Sequence, residues 1–191
     1  MGSTEVLCLD LGIGGFVGWA IDGVQHPLDG LATADGHSSN DDRPDGTGHP
    51  NGISSIDHVV VSTDDCDRTI AAFETAGLEL RGGRRTGSYG SPMRQSFFWA
   101  GDVIIEVVGP DRGDPTTAPP SEPAAEQIAG RSASVFGLAL VAEDLDATAG
   151  FLGDRLGTPK DAVQARRRIA GLRHRDAGLG LPIAVMSPHP H

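Results

Sequence analysis

The chain has 191 residues, enough for one domain or two small ones. It carries 15 Lys and Arg against 26 Asp and Glu, a formal net charge of −11. A surface this acidic repels phosphate backbones and anionic lipids, so we expect no nucleic acid and no membrane as a partner. The opening residues do not resemble a signal peptide, and no stretch reaches the roughly 20 apolar residues of a membrane span. We therefore expect a cytoplasmic protein in which Cys8 and Cys66 are reduced.

Composition divides the chain into five segments. Two stretches rich in Gly, Pro, Asp and Ser contain almost no apolar anchor, so we expect them to be mobile. The segments are an N-terminal β extension (1–31), a flexible loop (32–52), a first unit (53–110), a linker (111–133) and a second unit (134–188), the last three forming one domain (53–188).

The first unit has a readable order of elements. "IDHVVVS" predicts a strand from its β-branched content. Thr63 or Asp64 can cap a helix that presents Ile70 and Phe73 on one face and ends at Gly77. The segments "LELRGGRRTG", "MRQSFFWAG" and "DVIIEVVGP" predict three more strands. The predicted order is therefore β-α-β-β-β.

The second unit repeats this order. "VFGLALVAEDLDATAGFLGDRLG" predicts a strand, an acidic cap and a helix that ends at Gly157, and further strands follow up to "AVMSP". An offset of 79 residues places Asp65 on Asp144 and Phe73 on Leu152. A repeat of order and caps at one spacing predicts an α+β fold made of two tandem βαβββ units.

Two ionisable residues lie within predicted strands. His58 begins a run of valines, and Glu106 lies between apolar pairs in "DVIIEVVGP". A Glu is rarely buried unless it is paired or bound to a metal. Imidazole nitrogen and carboxylate oxygen are ligands that suit Zn, Fe, Mn, Co or Ni. The pattern favours a metal site or an acid–base pair, and the alternatives are a neutral His bonded to a structural Glu, or a Glu turned to water.

Four more side chains are candidates for binding a substrate. Arg94, Gln95 and Trp99 belong to the third predicted strand, and Arg167 belongs to an "RRR" segment that we place on a strand of the second unit. An arginine that faces a cavity can bind a carboxylate with two parallel hydrogen bonds. The alternative is that these arginines lie on solvated faces and pair with acidic side chains.

The tandem βαβββ order, with "DHVVV" and "DD" opening a unit and "IIEVVGP" closing it, resembles the vicinal oxygen chelate superfamily over residues 53–188. That group includes glyoxalase I, bleomycin resistance proteins and extradiol dioxygenases. The resemblance implies two half-barrels around a cavity, here with an N-terminal strand extension, and a metal held by a His or Gln on a unit's first strand and a Glu on its last. His58 and Glu106 match those positions, whereas Gly137 and Ala184 occupy them in the second unit. His174 or Gln95 is the candidate substitute ligand.

The resemblance implies a small-molecule ligand but leaves the activity open. One alternative is a lyase, isomerase or oxygenase in which His58 and Glu106 are catalytic and bind one divalent ion (Zn, Fe, Mn, Ni or Co) at a degenerate site. The second alternative is a metal-free protein of bleomycin-resistance type that binds or sequesters a small molecule, and the residues are equally compatible with one metal ion or with none. A structural module is the third, and a homodimer is left open because family members often dimerise. We predict that His58 and Glu106 form the floor of the only sizeable cavity, with Gly137 opposite His58.

Overall fold

A computed structural model describes residues 18–21, 24, 28–32, 49–87, 91–113 and 132–190. The first unit contains β1 (Ile53–Ser62), α1 (Cys66–Thr75), β2 (Leu80–Thr86), β3 (Met93–Ala100) and β4 (Val103–Pro110). The second contains β5 (Ser134–Ala142), α2 (Leu145–Leu152), a 3-10 helix (Gly153–Arg155), β6 (Lys160–Asp161), β7 (Arg168–Gly171) and β8 (Ile183–Met186). Neither α-helix of the described residues is long and apolar enough to cross a membrane.

The eight strands of the described residues belong to one sheet, in the order β2-β3-β4-β1-β5-β8-β7-β6. The first and last strands of each unit are parallel neighbours, β1 with β4 and β5 with β8. The two units join where β1 pairs antiparallel with β5 at the middle of the sheet. The predicted α+β class and the β-α-β-β-β order of each unit are therefore confirmed.

Both helices begin at an aspartate that the repeat aligned. The Asp65 carboxylate accepts a hydrogen bond from the Arg68 amide at 3.0 Å, and Asp144 caps α2 in the same way. A side-chain oxygen that binds a free amide of the first turn stabilises a helix by about 1 kcal/mol. The predicted cap at Thr63 or Asp64 is wrong, because the Thr63 hydroxyl accepts a hydrogen bond from the Asp65 amide instead.

Helix α2 is shorter than predicted. It ends at Leu152, and Gly153 follows with a φ of 53°. This left-handed conformation is open to glycine because it has no Cβ. Gly157, the predicted end, lies beyond the 3-10 turn, and its amide donates to the Gly171 carbonyl at 2.9 Å. It therefore joins the chain to β7 instead of ending the helix.

The main core lies between α1 and the sheet. Phe73 of α1 and Phe98 of β3 are fully buried, with ring centroids 5.1 Å apart. Leu28 and Leu31 of the N-terminal segment complete this core, and Asp29 between them accepts a hydrogen bond from the Arg68 side chain at 2.7 Å. The described part of the N-terminal segment is therefore anchored to the first unit.

Parts of several predictions fall outside the described residues. They concern the N-terminal β extension, the loop at 32–52, the linker at 111–133 and the state of Cys8. The segment boundaries therefore stay predictions. Cys66 is a free cysteine, and burial raises the pKa of its thiol.

Gly109 of β4 occupies a place without room for a side chain. A Cβ there would lie 2.7 Å from the Cys66 sulfur and 2.7 Å from the Thr63 carbonyl oxygen. Since a backbone carbonyl cannot move aside cheaply, we expect Gly109→Ala to lower the free energy of unfolding by about 1–3 kcal/mol. Gly87→Ala is the control, because no atom lies within 4 Å of its added Cβ. Urea unfolding curves measure both, and equal stability of the two variants would contradict the prediction.

Candidate functional site

The sheet brings His58 and Glu106 together. The register of β1 and β4 pairs His58 with Ile104 and Val60 with Glu106, so the two ionisable residues are diagonal neighbours on one face. The His58 Nε2 lies 3.4 Å from the Glu106 Oε2, and the two side chains are 12% and 7% exposed. The predicted approach is confirmed, while the chemistry predicted for the pair stays a prediction.

A third ionisable residue, Asp57, belongs to the same cluster. The register between β1 and β5 shifts between Ile56 and His58. At such an irregularity consecutive side chains need not alternate, and here both Asp57 and His58 line the cavity. The Asp57 Oδ2 lies 2.7 Å from the His58 Nδ1. A carboxylate at this nitrogen favours a proton on Nδ1, which leaves Nε2 directed at Glu106.

This geometry suits proton transfer. Nε2 and a carboxylate oxygen approach favourably when one proton lies between them, carried either by the imidazole or by the carboxyl group. The Gln95 Nε2 donates a hydrogen bond to the other Glu106 oxygen. The carboxyl group is therefore held on both of its oxygens, and the His58 ring is held on both of its nitrogens.

Arg167 is tied to Asp57. Its side chain is 1% exposed, and Nη2 donates to the Asp57 Oδ1 at 2.7 Å. Nε and Nη2 also donate to the Ser187 carbonyl at 3.0 and 2.8 Å. Burial by itself raises the pKa of Asp57, but the hydrogen bonds from His58 and Arg167 outweigh it and hold that pKa well below its usual range. Arg167 lies just before β7, not on a strand as predicted, and its charge is already compensated.

Gln95 and Arg84 extend the cluster across the sheet. Gln95 is buried, and its Oε1 accepts a hydrogen bond from the Arg84 Nε at 2.5 Å. The Arg84 guanidinium also lies 5.6 Å from the centre of the Phe97 ring, within the range of a cation–π contact. Gln95, which was predicted to bind the substrate, is thus linked to the site through its hydrogen bond to Glu106. The role of Arg84 was missed.

A cavity of about 160 Å³ lies beside the His58–Glu106 pair. Its lining residues are Asp57, His58, Arg84, Phe97, Ile104, Glu106, Gln164, Arg167 and His189. A larger pocket of about 310 Å³ runs along β2 and β3, so the prediction of a single sizeable cavity is wrong.

Of the four predicted substrate-binding residues only Arg167 lines this cavity, and Arg94, Gln95 and Trp99 do not. Arg94 pairs with Asp67 of α1 at 2.6 Å and borders the larger pocket. Trp99 is 49% exposed. Arg94 lies on the α1 side of β3, and Trp99 is the cross-strand partner of Ile104.

The second unit contributes loops and its C-terminal segment to the cavity, not its strands. Gly137 lies opposite Val60, two residues from His58, and Ala139 is the direct partner of His58. A Cβ on Gly137 would lie 2.8 Å from the Pro182 carbonyl oxygen, so the close backbone approach explains the glycine. Gly137, predicted to face the cavity opposite His58, therefore lies two residues further along the register and does not line the cavity.

The donor set does not fit a tightly held metal. His58 and Glu106 offer two ligands, whereas zinc sites usually have three or four from the protein. Within the ranges that the structure describes, no group of three His, Cys, Asp or Glu side chains is arranged to hold a metal ion. The Gln95 oxygen already accepts from Arg84, and His174 does not line the cavity.

Comparison with known proteins agrees with the fold. The profile of the glyoxalase-like domain matches residues 56–182, more than half of the chain. No curated protein matches the sequence.

Several solved structures share the architecture. Methylmalonyl-CoA epimerase from Mycobacterium tuberculosis is 24% identical, with a TM-score of 0.56, over 76% of this chain and 95% of that one. A Streptomyces coelicolor methylmalonyl-CoA epimerase variant in complex with 2-nitronate-propionyl-CoA is 21% identical, with a TM-score of 0.52, over 72% and 99% of the two chains. A hypothetical protein from Bacillus halodurans is 17% identical, with a TM-score of 0.53, over 72% and 96%. By its domain profile and its fold, the chain belongs to the glyoxalase-like domain family of the vicinal oxygen chelate superfamily.

Proposed function

We propose that the protein is an enzyme that moves a proton at a carbon atom next to a carbonyl group, in a small molecule bound in the 160 Å³ cavity. The observation that carries the proposal is the 3.4 Å approach of the His58 Nε2 to the Glu106 Oε2 at the cavity wall. Epimerases, such as those with the same fold, invert a carbon centre. An acid–base pair at a carbon acid is the chemistry that this reaction class requires.

In the proposed reaction Glu106 takes the proton from carbon, which leaves an enolate, and protonated His58 gives a proton back to that carbon. The proton on Glu106 then passes to the His58 Nε2, 3.4 Å away, so that both groups regain their starting state. Gln95 orients the carboxylate, and Asp57 stabilises the imidazolium that forms when His58 holds two protons. Phe97 and Ile104 supply apolar walls. Pockets for drug-sized ligands span about 300–1,000 Å³. The smaller cavity therefore accepts a small molecule or the reacting end of a larger one.

Deuterium exchange tests this function. Pyruvate, 2-oxobutyrate, dihydroxyacetone and propionyl-CoA are incubated with the protein in D₂O, and loss of the proton signal next to the carbonyl is followed by NMR. After dialysis against EDTA we expect exchange of at least one compound above the rate without protein. Exchange that appears after Zn²⁺, Mn²⁺, Co²⁺ or Ni²⁺ is added, and not before, would instead support a divalent ion on His58 and Glu106.

Binding without chemistry is the second candidate function. Asp57 and Glu106 are both already hydrogen-bonded within the protein, so the cavity is organised before a ligand enters. A metal-free sequestering protein of bleomycin-resistance type would use the same walls. Saturable binding of the probe compounds without any exchange would favour this alternative.

We further infer from the sequence a cytoplasmic protein whose partners are small molecules, with no nucleic acid or membrane among them. A homodimer is a separate expectation from the family resemblance. Sedimentation velocity at two protein concentrations measures it.

A further inference from the structure

Some charged side chains of the cavity lining pair with an opposite charge of the protein, and one does not. Arg167 and Asp57 form a buried ion pair, and Glu106 is bonded to His58 and the neutral amide of Gln95. Arg84 is the remaining cation of the lining. Its side chain contacts the Gln95 oxygen and the Phe97 ring, and no carboxylate of the described residues pairs with it.

Arg84 is nevertheless held in place. Its strand position pairs with Gln95 across β2 and β3, its Nε donates to that same side chain, and its guanidinium lies over Phe97. An arginine has five N–H donors, and this arrangement occupies one of them. The two terminal nitrogens remain, and their planar edge matches the two oxygens of a carboxylate.

The position of Arg84 relates it to the acid–base pair. Phe97, which its guanidinium covers, is the direct cross-strand partner of Glu106. Arg84 borders the larger pocket and also lines the same cavity as Glu106, so a ligand group that its terminal nitrogens bind within this cavity lies near that carboxylate. The positive charge of Arg84 offsets the negative charge that an acidic ligand would bring beside that carboxylate.

We propose that Arg84 binds the carboxylate of a small organic acid, so that the carbon next to this carboxylate faces Glu106 and His58. The inference rests on the proposed function, because it names the substrate class of the same cavity. It also replaces Arg167, whose charge Asp57 compensates, as the carboxylate-binding arginine of the site.

Binding of matched acids and amides tests the proposal. Propionate, lactate and pyruvate are titrated by ligand-observed NMR against propionamide and lactamide, which have a similar shape without the charge. We expect wild-type protein to bind at least one acid, and its amide at least about tenfold more weakly, since the amide lacks the negative charge and the second acceptor oxygen that a two-point contact with the guanidinium requires. Arg84→Gln should lose that preference, and Arg84→Lys should regain part of it.

Arg85 offers the matched control. It is the next residue on β2, is exposed and pairs with Asp111 at 3.0 Å, and it does not line this cavity. Arg85→Gln removes the same charge and should leave binding unchanged. Three results would each overturn the proposal. The wild type could bind acid and amide equally, Arg84→Gln and Arg85→Gln could lose acid binding to the same extent, or none of the acids could bind.

A second readout separates this inference from the proposed function. Acid binding that depends on Arg84 without deuterium exchange would retain the inference and reject the acid–base role. Exchange of dihydroxyacetone without any preference for acids would retain the acid–base role and reject the inference. Circular dichroism and thermal unfolding of each variant show whether the fold is kept.

Discussion

Glu106→Gln is expected to slow the proposed proton exchange by at least about 100-fold, because a positioned general acid or base contributes about 10²–10⁴ to a rate. Glutamine keeps the length and shape of the side chain, and its amide oxygen can still accept the hydrogen bond from Gln95. It cannot take a proton at neutral pH. The loss therefore falls on the chemical step, and binding of the small acids should change far less than the rate.

A surface carboxylate provides the control for this variant. Glu79 is exposed and pairs with Arg81 at 3.0 Å, remote from the cavity lining. Glu79→Gln removes the same charge from the protein and should leave exchange unchanged. An exchange rate in Glu106→Gln within a few-fold of the wild type would show that this carboxylate is not the base.

Arg167→Met is expected to have the largest effect on stability. The side chains of Arg167 and Asp57 are 1% and 4% exposed, so removing the cation leaves a buried carboxylate with weaker compensation. Breaking a buried ion pair from one side typically costs about 3–5 kcal/mol. We expect the lower part of this range, about 3 kcal/mol, because His58 and His189 still contact Asp57 at 2.7 and 3.2 Å. Urea unfolding at pH 7 measures the change.

The double variant Asp57→Asn/Arg167→Met separates charge from packing. With both charges removed, no buried carboxylate is left uncompensated, and the asparagine oxygen can still accept from the His58 Nδ1. We therefore expect the double variant to be more stable than Arg167→Met by about 1 kcal/mol or more. Additive losses from the two single variants would show that the pair does not interact as described.

The same pair makes stability depend on acid. Because the folded protein holds the pKa of Asp57 below its usual value of about 3.9, the contribution of Asp57 is complete above that pH. It is lost as the pH falls below about 3.9 toward the folded pKa. In Arg167→Met the folded pKa rises, since burial remains and a major compensating charge is gone. The loss begins near the unfolded pKa in both proteins and ends near the folded pKa, so in Arg167→Met it should be smaller and should end at a higher pH than in the wild type.

The sequence by itself determined the architecture and the central pair. Strand and helix periodicity record which side chains face a core, and the repeat of Asp65 on Asp144 marked both helix starts. Strand alternation also placed His58 and Glu106 each on one face of a strand. These features depend on neighbours within about one turn or one strand, so local patterns are enough to predict them.

Tertiary structure alone decided which other side chains complete the site. Asp57 lines the cavity because β1 and β5 slip in register beside it, and that slip depends on how two distant strands pair. Arg84 and Arg167 looked alike in sequence, as members of "RR" and "RRR" segments. One of them meets Asp57 after the chain folds and the other meets a neutral amide. These long-range contacts decide which arginine has a carboxylate partner within the protein and which does not. Local sequence patterns do not record such contacts.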